Sequence, residues 1–188
     1  MPKILTLIFV LVLFSSCEQR EKPRETNVAP AVDAVGDTAY SKRDSLVVFA
    51  KKYLGVPYVA AGKSPEGFDC SGFVYYVFHH FNVDVPRSTI DFENFGTDIP
   101  IDQVRKGDLI LFLSPTRPVI GHMGIVVRPD GMNSDFIHST SGKQMSVVVT
   151  SLSTPGYTKR FVKAIRVLSN DDPRQSRTVR SGSEVNDK

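Results

Sequence analysis

Cysteine and net charge are both scarce in this sequence. Only two of the 188 residues are cysteines, Cys17 and Cys70, so the chain can form at most one internal disulfide bond. The formal net charge of +3 is too small to indicate nucleic-acid binding. There is no internal repeat, and the length suits one well-packed domain rather than two. These absences exclude a disulfide-stapled scaffold and a nucleic-acid binder, and they favour a single globular domain.

Long apolar runs are equally rare, and the longest lies at the N-terminus. Residues 4–14 are apolar apart from Thr6, follow Lys3 and lead through two serines to Cys17. Such a run is too short to span a bilayer and is typical of an export signal. Residues 13–17, Leu-Phe-Ser-Ser-Cys, also resemble a bacterial lipobox, which implies that Cys17 is lipidated and becomes the mature N-terminus. The alternative is a plain secretory signal beside an incidental cysteine.

The composition predicts four segments along the chain. They are a signal peptide at 1–16, the lipidated Cys17 with a flexible tether at 17–40, a folded domain at 41–168 and a disordered tail at 169–188. The tether and the tail are polar, mix charges of both signs and have no apolar period. This layout predicts a monomer in the bacterial cell envelope, attached to a membrane through its N-terminal lipid. We expect it to face the periplasm, with the outer membrane favoured over the inner.

Helical patterns occupy the first half of the predicted domain and strand patterns the second. One helix is expected from Lys42 to Tyr53, a second from Cys70 onward and a short third after Ser88. The β-rich runs after Gly107 are 108–113, 122–127, 136–139, 145–150 and 161–168. Helices followed by an antiparallel sheet predict an α+β domain.

Cys70 stands where a loop rich in glycine and proline becomes the second helix. Asp69 is a plausible cap, and the first turn of a helix has unpaired N–H groups and partial positive charge. These features favour a thiolate over a thiol. If Cys17 is lipidated, Cys70 has no cysteine left to pair with in a compartment that oxidises thiols. We therefore predict that Cys70 is a nucleophile.

Two of the four histidines suit a partnership with Cys70. His122 lies between glycines at the start of a predicted strand, and His138 ends the next strand run. Neighbouring strands would place them side by side, one as the base and one as the residue that orients it. The alternatives are ordinary polar strand residues or a Cys-His-His zinc site, although no close ligand pair is present. His79 and His80 lie roughly 14 Å along the helix from Cys70 and are expected at the surface.

Six motifs occur in the order typical of the NlpC-type cell-wall cysteine peptidases, and the sequence resembles that family. They are residues 55–58 (Gly-Val-Pro-Tyr), 67–72 (Gly-Phe-Asp-Cys-Ser-Gly), 86–89 (Pro-Arg-Ser-Thr), 107–109 (Gly-Asp-Leu), 121–125 (Gly-His-Met-Gly-Ile) and 136–138 (Phe-Ile-His). The resemblance implies a papain-like α+β fold, with the catalytic cysteine at a helix N-terminus packed on a small antiparallel sheet.

The resemblance also implies roles for individual residues. Cys70 would be the nucleophile, His122 the base and His138 the orienting residue, with no metal or other cofactor. Asp69 and Ser71 match positions that line the substrate cleft. Tyr58 matches a third such position and would also help to hold the oxyanion. From the residues alone, Asp69 serves equally well as a helix cap and Tyr58 as ordinary packing.

Peptidoglycan stem peptides are the substrate that the resemblance implies. The expected bond joins γ-D-glutamate to a diamino acid such as meso-diaminopimelate, and the D-alanyl–diaminopimelate cross-link is the second possibility. A hypothesis of another class is a cell-wall-binding lipoprotein that has kept the fold without the activity.

Lipidation of Cys17 is testable by fractionation. Cys17→Ser should move the protein from the membrane fraction to the soluble fraction, because the acyl chains would supply the membrane affinity. Cys70→Ser is the matched control and should stay in the membrane fraction. A Cys17→Ser variant that remains with the membranes would contradict the prediction.

Overall fold

The computed structural model describes residues 41–169. The predicted signal peptide, the lipidation site at Cys17, the tether and nearly all of the predicted tail lie outside these residues. Three helices and eight strands form in the described part of the chain. The helices are α1 (Lys42–Lys51), α2 (Cys70–His80) and α3 (Pro155–Thr158). The strands are β1 (Lys63–Ser64), β2 (Gly67–Phe68), β3 (Thr97–Ile99), β4 (Leu109–Leu113), β5 (Ile120–Arg128), β6 (Asp135–Ser139), β7 (Val147–Ser151) and β8 (Phe161–Arg166).

Six of the strands form one antiparallel sheet in the order β3-β8-β4-β5-β6-β7. Strands β1 and β2 make a separate two-stranded hairpin just before α2. No helix within residues 41–169 has the length and apolar character needed to cross a bilayer. Helices followed by an antiparallel sheet confirm the predicted α+β class.

Both faces of the central sheet are buried. Leu109 and Leu111 of β4 pack with α1 and α2 in the main core, whereas Ile110 and Phe112 join a second core on the opposite face. Successive side chains of a strand point to opposite faces, so a strand covered on both sides needs apolar residues throughout. The Leu-Ile-Leu-Phe sequence of β4 meets that requirement.

Helix α2 is the central helix of the main core. Phe73, Val74, Val77 and Phe78 are completely buried, and they occupy the wide apolar face that the sequence predicts. Complete burial of such side chains contributes about 1.5–3 kcal/mol each, which ties α2 firmly to the sheet. The first residue of α2, Cys70, is therefore held in place by the packing of the turns that follow it.

A buried carboxylate links helix α1, strand β8 and the segment that precedes strand β4. Asp108, just before β4, is fully buried and pairs with Arg43 of α1 at 2.9 Å and with Arg166 of β8 at 2.7 Å. It also accepts the backbone N–H of Arg105 at 2.9 Å, and Arg43 donates to the Leu168 carbonyl. Both carboxylate oxygens are thus fully used.

Several local details differ from the sequence-based expectation. Helix α1 starts after the predicted Ser41 cap but ends at Lys51 rather than Tyr53. The expected third helix is a 3₁₀ turn at Thr89–Phe92. The stretch 55–69, expected to be loop, contains the β1–β2 hairpin. The short edge strand β3 is missing from the sequence-based prediction, because its sequence has no apolar alternation. Only its pairing with β8 defines it.

Loss of the Asp108 charge should destabilise the fold. Asp108→Asn leaves Arg43 and Arg166 without a counter-ion in a buried setting, and breaking a buried pair costs about 3–5 kcal/mol. Urea denaturation monitored by circular dichroism measures this loss. Asp98→Asn is the control, because the Asp98 side chain is 69% exposed in its pair with Lys163. This variant should unfold at the same urea concentration as wild type. Equal stability of the two variants would contradict the prediction.

Candidate active site

The junction between the β1–β2 hairpin and α2 places Cys70. Asp69 caps the helix by accepting the Gly72 backbone N–H at 2.6 Å. The Gly62 carbonyl packs so closely on Gly72 that a Cβ there would collide with it. Only glycine allows this approach, which explains the fourth residue of the Asp-Cys-Ser-Gly sequence. The hairpin therefore lies directly against the helix N-terminus that carries the thiol.

The Cys70 side chain is a free thiol with two polar neighbours. Its Sγ lies 3.7 Å from Thr89 Oγ1 and 3.9 Å from the Gly121 carbonyl, which precedes His122. Burial raises the pKa of the Cys70 thiol and the charge of Asp69 adds to this effect, whereas Thr89 and the backbone N–H groups of Ser71 and Cys70 oppose it. The balance favours a protonated thiol in the resting protein, so the thiolate expected from the helix start is not the resting form, because burial outweighs the effect of the helix N-terminus.

The two strand histidines form a hydrogen-bonded chain with Thr150. His122 Nε2 lies 2.9 Å from His138 Nδ1, and His138 Nε2 lies 3.0 Å from Thr150 Oγ1. His122 is on β5 and the fully buried His138 is on the neighbouring strand β6. Gly124 permits this contact, because a Cβ there would lie 2.9 Å from the Ile137 carbonyl and 3.0 Å from His138 Cβ.

Both imidazoles are neutral near pH 7. Burial and the nearby Arg160 charge lower the pKa of His122 to about 4. Burial, His122 and Arg160 lower the pKa of His138 to about 2. If His122 Nε2–H donates to His138 and His138 Nε2–H donates to Thr150, then His122 Nδ1 is left as a free basic atom. This tautomer gives His122 the form of a general base oriented by His138.

A hollow of about 480 Å³ lies on one side of Cys70, and Asp69 and Ser71 are in its wall. Arg87 binds Asp69 through both oxygens, at 2.8 and 3.0 Å, and its Nη1 also donates to Ser71 Oγ at 3.0 Å. Asp69 therefore acts as helix cap and ion-pair partner together. Thr89 and Lys63 complete the polar wall of this hollow.

A second hollow of about 320 Å³ contains His122. Its other lining residues are Pro115, Gly121, Thr140, Ser141, Gly142, Tyr157 and Arg160. Tyr58 is close to Ser141 of this hollow and also close to Cys70 and Asp69. Burial raises the pKa of Tyr58, so its hydroxyl stays protonated and can donate a hydrogen bond.

The structure thus places the Cys70 thiol against Gly121, the residue before His122, and joins His122 to His138, with Asp69 and Ser71 beside the cysteine and Tyr58 close to it. His79 and His80 are exposed at the far end of α2, as their spacing predicts. Within residues 41–169, no group of three or more His, Cys, Asp or Glu side chains is arranged to hold a metal ion.

Four residues of the site went unassigned in the sequence-based prediction. Arg87 and Thr89 lie inside the Pro-Arg-Ser-Thr motif, so a signal existed, but their partners are 18 and 19 residues away. Arg160 comes just before the predicted strand run at 161–168. Thr150 carries no sequence signal, because only the β6–β7 register places it against His138.

Comparison with known proteins gives a consistent set of relatives. The model of the NlpC/P60 family matches residues 55–166. A probable endopeptidase of Haemophilus influenzae is 38% identical over 118 residues, which are 62% of this chain and 69% of the relative. The murein DD-endopeptidase MepS/murein LD-carboxypeptidase of Escherichia coli K12 is 30% identical over 86% of this chain and 90% of its own length. A γ-D-glutamyl-L-lysine dipeptidyl-peptidase of Bacillus cereus is 34% identical over 66% of this chain and 36% of its own length.

Solved structures agree with these relatives. An NlpC/P60 family protein from Bacillus cereus superposes with a TM-score of 0.62 and 31% identity, over 69% of this chain and 41% of that one. The NlpC/p60 domain of the peptidoglycan hydrolase SagA superposes with a TM-score of 0.55 and 33% identity, over 67% of this chain and 99% of the domain. The chain spans less than half of the first protein and nearly all of the second. The papain-like NlpC-type fold is confirmed.

Acid should destabilise the fold through the histidine pair. The ordinary histidine pKa is 6.5, whereas the folded values are about 4 for His122 and about 2 for His138. Below pH 6.5 the unfolded chain binds protons that the folded chain does not, so stability falls from pH 7 to pH 5, by ~2 kcal/mol per histidine.

Urea denaturation of His138→Gln at the two pH values tests this. The variant has one titrating site fewer, so its loss of stability between pH 7 and pH 5 should be ~2 kcal/mol smaller than that of wild type. His79→Gln removes an exposed histidine and should lose as much as wild type. Equal losses in all three proteins would contradict the assignment.

Proposed function

This chain belongs to the NlpC/P60 family, and we propose that it hydrolyses the γ-D-glutamyl–diaminopimelate bond of peptidoglycan stem peptides. The coarser activity, that of a cysteine-type peptidoglycan hydrolase, follows from the family. The observation that supports a Cys-His-His mechanism is the hydrogen-bonded chain from His122 through His138 to Thr150, which begins one residue after the Gly121 carbonyl that contacts the Cys70 thiol. It supplies a nucleophile, a base and an orienting residue.

Attack on the peptide carbonyl begins from a neutral thiol and a neutral imidazole. His122 Nδ1 takes the Cys70 proton as Sγ forms a bond with the carbonyl carbon. The carbonyl oxygen becomes an oxyanion, which the Cys70 backbone N–H at the start of α2 and the Tyr58 hydroxyl would stabilise. Each such donor is worth ~10²–10³ in rate.

Collapse of this intermediate releases the amine half of the substrate. The imidazolium of His122, held by His138, donates its proton to the leaving nitrogen and the C–N bond breaks. Cys70 then carries a thioester. Water enters, His122 removes a proton from it, and hydrolysis of the thioester regenerates the thiol and a free carboxylic acid. These residues complete the cycle without a metal or another cofactor.

The choice of bond rests on the relatives. The Bacillus cereus relative is named as a γ-D-glutamyl-L-lysine dipeptidyl-peptidase, which supports cleavage after γ-D-glutamate. The Escherichia coli relative is named as a DD-endopeptidase and LD-carboxypeptidase and aligns over 86% of this chain. The D-alanyl–diaminopimelate cross-link is therefore the second candidate bond. A non-catalytic wall-binding lipoprotein is the alternative of another class.

We also propose an envelope location. The apolar run before Cys17 supports export, and the resemblance of residues 13–17 to a lipobox supports a lipid anchor. A monomer held at the periplasmic face of a membrane, the outer one in preference to the inner, would reach nearby wall through the polar stretch 17–40. Its partners would be the stem peptides and the membrane.

Digestion of purified muropeptides, with products identified by mass spectrometry, tests the activity. Wild type should release fragments that begin with diaminopimelate, whereas Cys70→Ala should be at least ~10³-fold slower because the nucleophile is gone. His79→Ala is the matched control and should cleave like wild type, and a chelator should leave the rate unchanged.

Other results would redirect or refute the proposal. Fragments cut only at the D-alanyl cross-link would move it to the second bond. Cleavage by Cys70→Ala at the wild-type rate would refute the mechanism. Wall binding without products, together with no labelling of Cys70 by iodoacetamide, would favour the non-catalytic alternative.

A further inference from the structure

We propose that Arg160 determines substrate specificity by binding the carboxylate that diaminopimelate carries and lysine lacks, on the leaving-group side of the scissile bond. This inference deepens the proposed function and rests on it. The residue lies between α3 and β8, in the wall of the hollow that contains His122.

Arg160 is held in place by neutral groups only. Its Nε donates to the Gly156 carbonyl at 3.0 Å and its Nη1 donates to the Leu113 carbonyl at 2.9 Å. The guanidinium carbon lies 5.3 Å from the centre of the Tyr157 ring. These contacts fix the direction of the side chain without cancelling its charge.

No carboxylate within residues 41–169 forms an ion pair with Arg160, and its Nη2 donates no hydrogen bond to any residue of that range. Four other arginines of the described residues form ion pairs. The arginines bound to aspartates are Arg43, Arg87, Arg128 and Arg166. Arg160 is thus a half-buried guanidinium that is fixed in position, and its charge and its Nη2 donors are available to bind a carboxylate.

The position of His122 indicates which part of the substrate lies against Arg160. His122 delivers the proton to the leaving amine, so the residue that bears this amine must lie against His122. The hollow shared by His122 and Arg160 is therefore the leaving-group side. The hollow lined by Asp69 and Arg87 holds the acyl side.

The chemistry of the substrate supplies a suitable anion. In both candidate bonds the diamino acid provides the leaving amine, and meso-diaminopimelate differs from lysine by one carboxylate on its distal carbon. That group is the natural partner for a guanidinium in this hollow. A lysine-containing stem peptide would leave Arg160 without its ion pair.

A bound carboxylate would also act on the base. The Arg160 charge contributes to the low pKa values of His122 and His138. A substrate carboxylate that pairs with Arg160 would offset this charge and make His122 a stronger base. The correct substrate would therefore improve catalysis as well as binding, so kcat is expected to change together with KM.

A matched pair of substrates tests the inference. Two synthetic dimers of the stem tetrapeptide, one with meso-diaminopimelate and one with L-lysine, are joined directly through the D-alanyl bond and so contain both candidate bonds. Wild type should cleave the diaminopimelate dimer with a kcat/KM roughly 10–100-fold higher, the range expected for hydrogen bonds between charged groups.

Variants of Arg160 show whether this side chain is the cause. Arg160→Gln should lose that preference by slowing cleavage of the diaminopimelate dimer without slowing cleavage of the lysine dimer, which forms no ion pair with Arg160. Arg160→Lys keeps the charge but not the planar fork and should keep part of the preference. In Arg160→Gln the acid limb of the kcat/KM profile should move to higher pH, because the charge that lowers the pKa of His122 is gone.

Each result has a definite consequence. Equal wild-type kcat/KM for the two dimers, or an equal slowing of both by Arg160→Gln, would refute the role of Arg160 and leave the proposed function intact. If wild type cleaves neither dimer, the proposed function is refuted, and this inference is refuted with it. If Arg160→Gln does not fold, the wild-type preference and its narrowing in Arg160→Lys decide the question.

Discussion

The contact between the β1–β2 hairpin and the start of α2 is the constraint on which the whole site depends. Asp69 caps the helix and pairs with Arg87, and the absence of a side chain at Gly72 lets the Gly62 carbonyl approach the first turn. An N-cap of this kind contributes about 1 kcal/mol, which is small beside the burial of α2. Its importance is geometric, because it determines where the Cys70 thiol points.

The histidines depend on a different constraint, the register of β5 and β6. Ile125 pairs with Ile137, so His122 and His138 lie on adjacent strands within hydrogen-bond distance. Apolar burial sets this register, and Gly124 lets the two strands carry imidazoles at such a short separation. The same burial lowers the pKa of both rings. The packing that assembles the base therefore also keeps it neutral and able to accept a proton.

Local patterns in the sequence predict much of this structure. The capped start of α2, its apolar face and the five later strands follow from patterns within a few residues, and so does the placing of His122 and His138 on neighbouring strands. The pairing of Arg87 with Asp69, the Thr150 contact and the edge strand β3 could not be predicted this way. Each depends on residues brought together by the completed sheet, and no single stretch of sequence carries that information.

The two hollows beside Cys70 differ in how their arginines are neutralised. The positive charge of Arg87 is neutralised by Asp69 through a two-point ion pair. The acyl side therefore offers fixed polar groups with little net charge. Arg160 keeps its charge, so the leaving-group side is cationic. The carboxylate of an anionic diamino acid is then attracted to the leaving-group side, where the charge of Arg160 has no aspartate beside it. Charge asymmetry of this kind orders a substrate before any bond is broken, and it requires only that one arginine has an aspartate and the other does not.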